Sequence, residues 1–127
     1  MNRTIKSAAL LGALAVAIGA FGAHALKPML VENGRLATFE TAVEYHFYHV
    51  LALLFIGLYQ KHADEKKLRW AANAMIAGII IFSGSLYILC LTNMSFLGAI
   101  TPIGGVCFIA GWILLFLAHK KSSTDIS

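Results

Sequence analysis

Four long apolar runs, set apart by short polar stretches, dominate the chain. At a rise of ~1.5 Å per residue, about 20 apolar residues cross a hydrocarbon core of ~30 Å. Stretches 7–26, 42–59, 70–91 and 100–118 answer to that pattern. The first and fourth contain no Asp, Glu, Lys or Arg, and the third holds only Asn73, Ser83 and Ser85 as strongly polar members. The second is polar at its start and apolar at its far end. The pattern predicts an all-α membrane protein, a four-transmembrane-helix bundle filling 1–127 as a single domain. Local signals place the ends. Lys27-Pro28 is expected to stop the first helix, because the residue before a proline is pushed out of the α region. Thr41 with Glu44 three residues on fits a capping box opening the second. Pro102 suits the first turn of the fourth.

Composition sharpens this reading. Of 127 residues, 59% are apolar and 13% charged, and mean hydropathy is +0.77. Soluble domains carry about 45–50% and about 25%, so a soluble globular protein is excluded. Disorder is excluded too, since it requires low hydrophobicity. Cys90 and Cys107 are too few for a disulfide framework and are expected as free thiols.

The net charge of +4 does not indicate a nucleic-acid partner, because the basic residues sit between apolar runs. They set orientation instead. Arg3, Lys6, Lys61, Lys66, Lys67, Arg69, Lys120 and Lys121 fall at the termini and second loop, against Lys27 and Arg35 in the first loop. The positive-inside rule then predicts an N-in/C-in protein. Arg3 and Lys6, an apolar run and Ala23-His24-Ala25 imitate a secretory signal. The run from 7 to 23 is longer than the usual apolar region of such signals, so an uncleaved span is expected.

With that orientation, polar side chains of four helices gather in the outer leaflet: His24, then Glu44, Tyr45, His46, Tyr48 and His49, then Ser83, Ser85 and Tyr87, then Thr101. Ionisable groups inside a membrane are costly and are functional candidates by default. Tyr45, His46 and His49 share about 100° of helix arc, with Glu44 on the other side. Ser83 aligns with Tyr87, and Ser85 faces nearly opposite. The simplest role for these residues is a hydrogen-bonded network between helices, with Glu44 as the capping-box acid. A pocket for a lipid headgroup, quinone or other small molecule is the functional alternative. His46 and His49, at i and i+3, are weak metal candidates that need further ligands, and haem ligation is weaker still. No cofactor is predicted. His62 and His119 are expected at the interface, and Tyr59, Trp70 and Trp112 in the cytoplasmic aromatic belt.

Small residues form two stripes: Ala8, Gly12, Ala15, Gly19 and Ala23 on the first span, and Ala71, Ala74 and Gly78 on the third. They permit close helix packing inside the bundle, or alternatively a homo-oligomer face. Gly84, Gly104 and Gly105 are expected to mark close approach.

Four strings carry a resemblance: Gly19-Ala-Phe-Gly-Ala-His-Ala-Leu26, Thr41-Ala-Val-Glu-Tyr-His-Phe-Tyr-His49, Phe82-Ser-Gly-Ser-Leu-Tyr87, and Thr101-Pro-Ile-Gly-Gly105 leading to Gly111-Trp112. In this order the chain resembles the domain of unknown function 423 family, small bacterial membrane proteins related to a small eukaryotic transmembrane group. The resemblance runs from about Ala8 to Ala118. It implies a multi-pass protein of the bacterial cytoplasmic (inner) membrane and implies no reaction. It singles out His24, Tyr45, His46, His49, Ser83, Ser85, Tyr87, Thr101 and Pro102.

The expected function is a binding or accessory membrane protein. Its outer-leaflet pocket would hold a lipid headgroup, a small amphipathic molecule or a partner helix. A small oligomeric proton-coupled transporter is the alternative, since histidine titrates near neutral pH. A lipid-modifying enzyme with Glu44 or a histidine as general base ranks last, because no nucleophile or phosphate loop has a diagnostic spacing. Membrane lipids are the expected partners.

Overall fold

The computed structural model describes residues 2–119, so Lys120 and Lys121, counted above for orientation, lie outside the described residues. Four helices cover nearly all of this range: α1 (Arg3–Glu32), α2 (Leu36–His62), α3 (Glu65–Thr92) and α4 (Ser95–Leu117). Each is long and apolar enough to span a membrane. The most apolar windows of α2 and α3 are each 44% buried, against 11% in α1 and 17% in α4. The middle helices are therefore the interior of the bundle, and α1 and α4 flank them.

The helix ends differ from the sequence expectation in two places, each for a physical reason. Lys27-Pro28 does not stop α1. A proline inside a helix lacks its N–H and clashes with the carbonyl four residues back. Here a π-helical turn, Gly22–Leu26, lies immediately before it, and the widened turn lets the helix run on to Glu32. Asn33 and Gly34 end it, Gly34 at φ +68. The second correction is α2, which begins at Leu36 after Arg35, with no side-chain cap. Thr41 and Glu44 lie inside it and form no capping box. The earlier start follows from packing: Phe39, in the first turns, is buried over Gly22 of α1.

The other ends follow local chemistry. The Asn2 side chain accepts the Thr4 N–H and caps α1, while its amide donates to the Gly57 carbonyl of α2. Asp64 caps α3 through the N–H groups of Lys66 and Lys67. Asn93, at φ 58, ends α3 in the left-handed region. A 3-10 turn, Ser95–Ala99, leads into the regular part of α4, Thr101–Leu117, with Pro102 in its first turn as expected.

The small-residue stripes face inward. A Cβ added at Gly12 would lie 3.3 Å from Val50, and one at Gly19 would lie 3.3 Å from Val43. Ala8 and Ala15 are buried in the same seam, and Ala23 is exposed. Between α3 and α4 the interlocking is mutual. Gly78 receives the Phe108 ring, and Gly111 receives Met75, whose sulfur lies 3.0 Å from an added Cβ. Gly104 meets the Phe82 backbone itself. Gly105 and Gly84 do not behave as expected. An added Cβ would meet the Phe82 ring only at 4.0 Å from Gly105 and nothing within 4 Å from Gly84. Cys90 and Cys107 are free thiols.

Candidate functional site

The two histidines of α2 are its central polar feature. His46 and His49 are 3% and 5% exposed. Because α2 starts at Leu36, both stand near the middle of the helix. His49, Gly78 and Phe108 lie together, each near the centre of its own helix. The shared face predicted for His46 and His49 divides between two neighbours.

His46 points between α1 and α3. Its Nε2 lies 2.9 Å from the Leu11 carbonyl and its Nδ1 lies 2.8 Å from the Tyr87 hydroxyl. A carbonyl only accepts, so Nε2 carries the hydrogen, and the neutral ring takes the Tyr87 O–H at Nδ1. His49 points at α4. Its Nδ1 lies 2.7 Å from the Tyr45 carbonyl, and the Trp112 indole N–H donates to its Nε2 at 3.1 Å. Indole only donates, so this ring carries its hydrogen on Nδ1. The Phe108 ring stacks on it, with centroids 3.5 Å apart. Trp112, expected from sequence in the cytoplasmic aromatic belt, is thus also a partner of the central histidine. The imidazole, stacked on one side and bonded at both nitrogens, anchors one edge of an indole that stays half exposed.

The hydroxyls complete the network. Ser83, fully buried, donates to the Ala42 carbonyl at 2.7 Å. Ser83 belongs to a second π-helical turn, Ile79–Ser83. Ser85 and Thr101 lie 2.7 Å apart, with the Phe82 and Leu97 carbonyls as further acceptors. As predicted, Ser83 and Tyr87 share a face and Ser85 points away from it; the first face meets α2, and Ser85 meets α4. Among the described residues no buried side-chain nitrogen or oxygen lacks a partner. In a medium without water each orphan would cost several kcal/mol.

This saturation bears on chemistry. Both nitrogens of His46 and of His49 are engaged, which leaves no lone pair for a metal. His24 is exposed in the π turn of α1, apart from them. No group of three or more His, Cys, Asp or Glu among the described residues could hold a metal ion. Each histidine donates into a backbone carbonyl, which does not pass a proton on.

The remaining candidates are not in the network. Glu44 is exposed, and its carboxylate has no hydrogen bond or ion pair among the described residues. It borders a groove of about 320 Å³ between α1 and α2. Gly22, Ala23, Phe39 and Val43 form the apolar walls, and Lys27, Glu40 and Glu44 supply the charges. Lys27 and Glu40 were not singled out from sequence. Their only signal was the i, i+4 spacing of Glu40 and Glu44, which puts both acids on one helical face. Tyr45 is 39% exposed and Tyr48 54% exposed; both face a second groove, towards α4.

Four apolar helices around a saturated polar interior define a multi-pass cell-membrane protein. Known proteins agree. The profile of a family described as "Protein of unknown function (DUF423)" matches residues 18–105. A UPF0382 membrane protein of Staphylococcus aureus (strain bovine RF122 / ET3-1) is 49% identical over 121 residues, covering 95% of this chain and 98% of that one. The UPF0382 membrane protein YwdK of Bacillus subtilis (strain 168) is 47% identical over 109 residues, covering 85% and 88%. No solved structure matches. The chain belongs to the DUF423 family.

Proposed function

We propose that the protein is a lipid-binding accessory protein of the cell membrane, holding an amine-bearing phospholipid headgroup in the groove between α1 and α2. The observation that carries this reading is the exposed, unpartnered Glu44. It stands about five residues, or ~8 Å, from the level of His49 at the bundle centre. That is inside a half-thickness of ~15 Å of hydrocarbon. A carboxylate at such a depth is expensive unless a partner of opposite charge reaches it. Lys27 lies nearer the helix ends, where phosphates sit, and Glu40 and Glu44 line the way inward. A headgroup with a phosphate beside an ammonium matches that order of charges. The basic residues support an orientation with both termini cytoplasmic, which opens the groove to the outer leaflet. Binding at this site would serve a partner enzyme or sort lipid, since the saturated interior supports no proton path.

The test is native mass spectrometry from nanodiscs containing equal phosphatidylethanolamine and phosphatidylglycerol. The protein is expected to retain phosphatidylethanolamine preferentially. The pair Glu40→Gln and Glu44→Gln should abolish that preference without changing the fold. Equal retention of both lipids, or a preference that survives the double substitution, refutes the reading.

A further inference from the structure

The seam between α1 and α2 fixes the order of the charges along the headgroup groove. Gly12 meets Val50, Gly19 meets Val43 and Gly22 meets Phe39, so the two helices run antiparallel in a steady register. Glu44 follows Val43 and stands near the level of Gly19, and Glu40 follows Phe39 and stands near that of Gly22. Lys27 lies about five residues, or ~8 Å, beyond Gly22 towards the connecting loop. From the loop inward, the groove therefore presents a cation, a carboxylate and a second carboxylate in single file. All three side chains are exposed, and all three line the same space of about 320 Å³.

These charges do not neutralise one another. Among the described residues no ion pair or hydrogen bond joins Lys27 to Glu40 or Glu44. The two acids, one helical turn apart, repel. The count is also uneven, with two anions against one cation. A headgroup with one phosphate and one ammonium satisfies Lys27 and one acid, and leaves the other carboxylate bare. The full complement is a phosphate followed by two ammonium groups, in that order.

We infer, on the headgroup reading of this groove, that its ligand is a phospholipid with two ammonium groups: a phosphatidylglycerol esterified on its headgroup by a basic amino acid. Outward from its phosphate, a lysyl ester carries glycerol, the ester, the α-ammonium and, after a flexible chain, the ε-ammonium. Its phosphate meets Lys27, and its two ammonium groups meet Glu40 and Glu44 in charge-assisted hydrogen bonds. The flexible chain lets those groups span carboxylates whose Cβ atoms are ~6 Å apart. Its methylenes lie on the apolar walls of Gly22, Ala23 and Val43, as the stems of lysine side chains do on protein surfaces. A free diamine supplies both ammonium groups but nothing for Lys27.

The test is native mass spectrometry from nanodiscs containing equal lysyl-phosphatidylglycerol, alanyl-phosphatidylglycerol, phosphatidylethanolamine and phosphatidylglycerol. The alanyl lipid has the same ester with one ammonium. The lysyl lipid is expected to be retained about threefold over the alanyl lipid and phosphatidylethanolamine, the scale of one exposed ion pair. Glu40→Gln and Glu44→Gln, made singly, should each bring the lysyl lipid down to the alanyl level. Equal retention of the lysyl and alanyl lipids by the unaltered protein overturns the inference, while a preference for both over phosphatidylglycerol still supports the headgroup reading. No preference over phosphatidylglycerol removes both. A lysyl advantage that survives each single substitution reports only the net charge of the lipid and overturns the inference. So does displacement of the lysyl lipid by an equal concentration of 1,5-diaminopentane, which assigns the groove to a soluble diamine.

Discussion

Replacing His46 by phenylalanine removes the bond that ties α1, α2 and α3 together while keeping a ring of similar shape. His46 is 3% exposed and bonds to the Leu11 carbonyl at 2.9 Å and the Tyr87 hydroxyl at 2.8 Å. The Leu11 carbonyl keeps its own helical bond. The Tyr87 hydroxyl is left without a partner, and stranding such a group costs about 1–3 kcal/mol. Interhelical hydrogen bonds within membranes average ~0.6 kcal/mol and reach ~1.7. His46→Phe should therefore destabilise by about 2 kcal/mol. Tyr87→Phe, which leaves Nδ1 of His46 unpaired, should cost about 1 kcal/mol. Once His46 is gone the Tyr87 hydroxyl is a burden, so the double variant should cost no more than His46→Phe alone, a coupling of about 1 kcal/mol. The assay is reversible unfolding of the four proteins in mixed micelles by titrating denaturing detergent. Costs that add within ~0.3 kcal/mol, the behaviour of independent sites, would refute the shared bond and with it the neutral Nε2–H assignment. Tyr45→Phe is the internal control: its hydroxyl has no partner among the described residues, so its stability change should stay within that same margin.

Three further outcomes follow from the packing and the charge pattern. Gly104→Ala should lower thermal stability markedly, because the new methyl meets the Phe82 backbone, and neither helix can yield without separating. Gly84→Ala, with nothing within 4 Å, should be neutral or gain up to about 1 kcal/mol from helix propensity; equal losses at both positions would contradict the crossing. Gly34→Ala should cost about 1 kcal/mol by denaturant titration, because its φ of +68 strains a residue with a Cβ. A cysteine placed at Asn33, in a background without Cys90 and Cys107, should react with an impermeant thiol reagent on intact cells. One at Lys61 should react only after lysis, and the reverse would invert the orientation expected from the basic residues.

The spans were legible because their signal is length and apolarity, which need no knowledge of neighbours. Their ends were less so. The Lys27-Pro28 rule considers a regular helix, and the π turn that absorbs Pro28 is a packing outcome that leaves no pattern in the string. The start of α2 was hidden for the same reason: Leu36 and Phe39 become helical because α1 is there to receive them. Within the site, the ionisable and hydroxyl side chains were visible as residue types, and the facing of Ser83, Ser85 and Tyr87 followed from helical arc. Half of each bond was invisible. Leu11, Ala42 and Tyr45 take part through backbone carbonyls, for which any residue would serve. The tie between Trp112 and His49 was equally hidden, since nothing in the string pairs two residues 63 positions apart.

The polar residues of α2 thus divide by a physical criterion that residue type alone does not supply. His46 and His49 have every donor and acceptor occupied from α1, α3, α4 or their own helix. Their conformations are over-determined, and substituting them tests the fold. The side-chain polar groups of Glu44, Tyr45 and Tyr48, next to them in sequence, have no partner among the described residues. Water cannot supply what they lack in the hydrocarbon region. A sequence that completes one set of bonds and leaves its neighbours open, on a helix where open groups are costly, concentrates its unpaid free energy at two grooves. If the groove between α1 and α2 holds a charged headgroup as proposed, binding relieves that cost at Glu44, and the lipid should stabilise the bundle as well as occupy it. Substitutions that remove the open groups should make the empty protein no less stable, and only the bound one weaker.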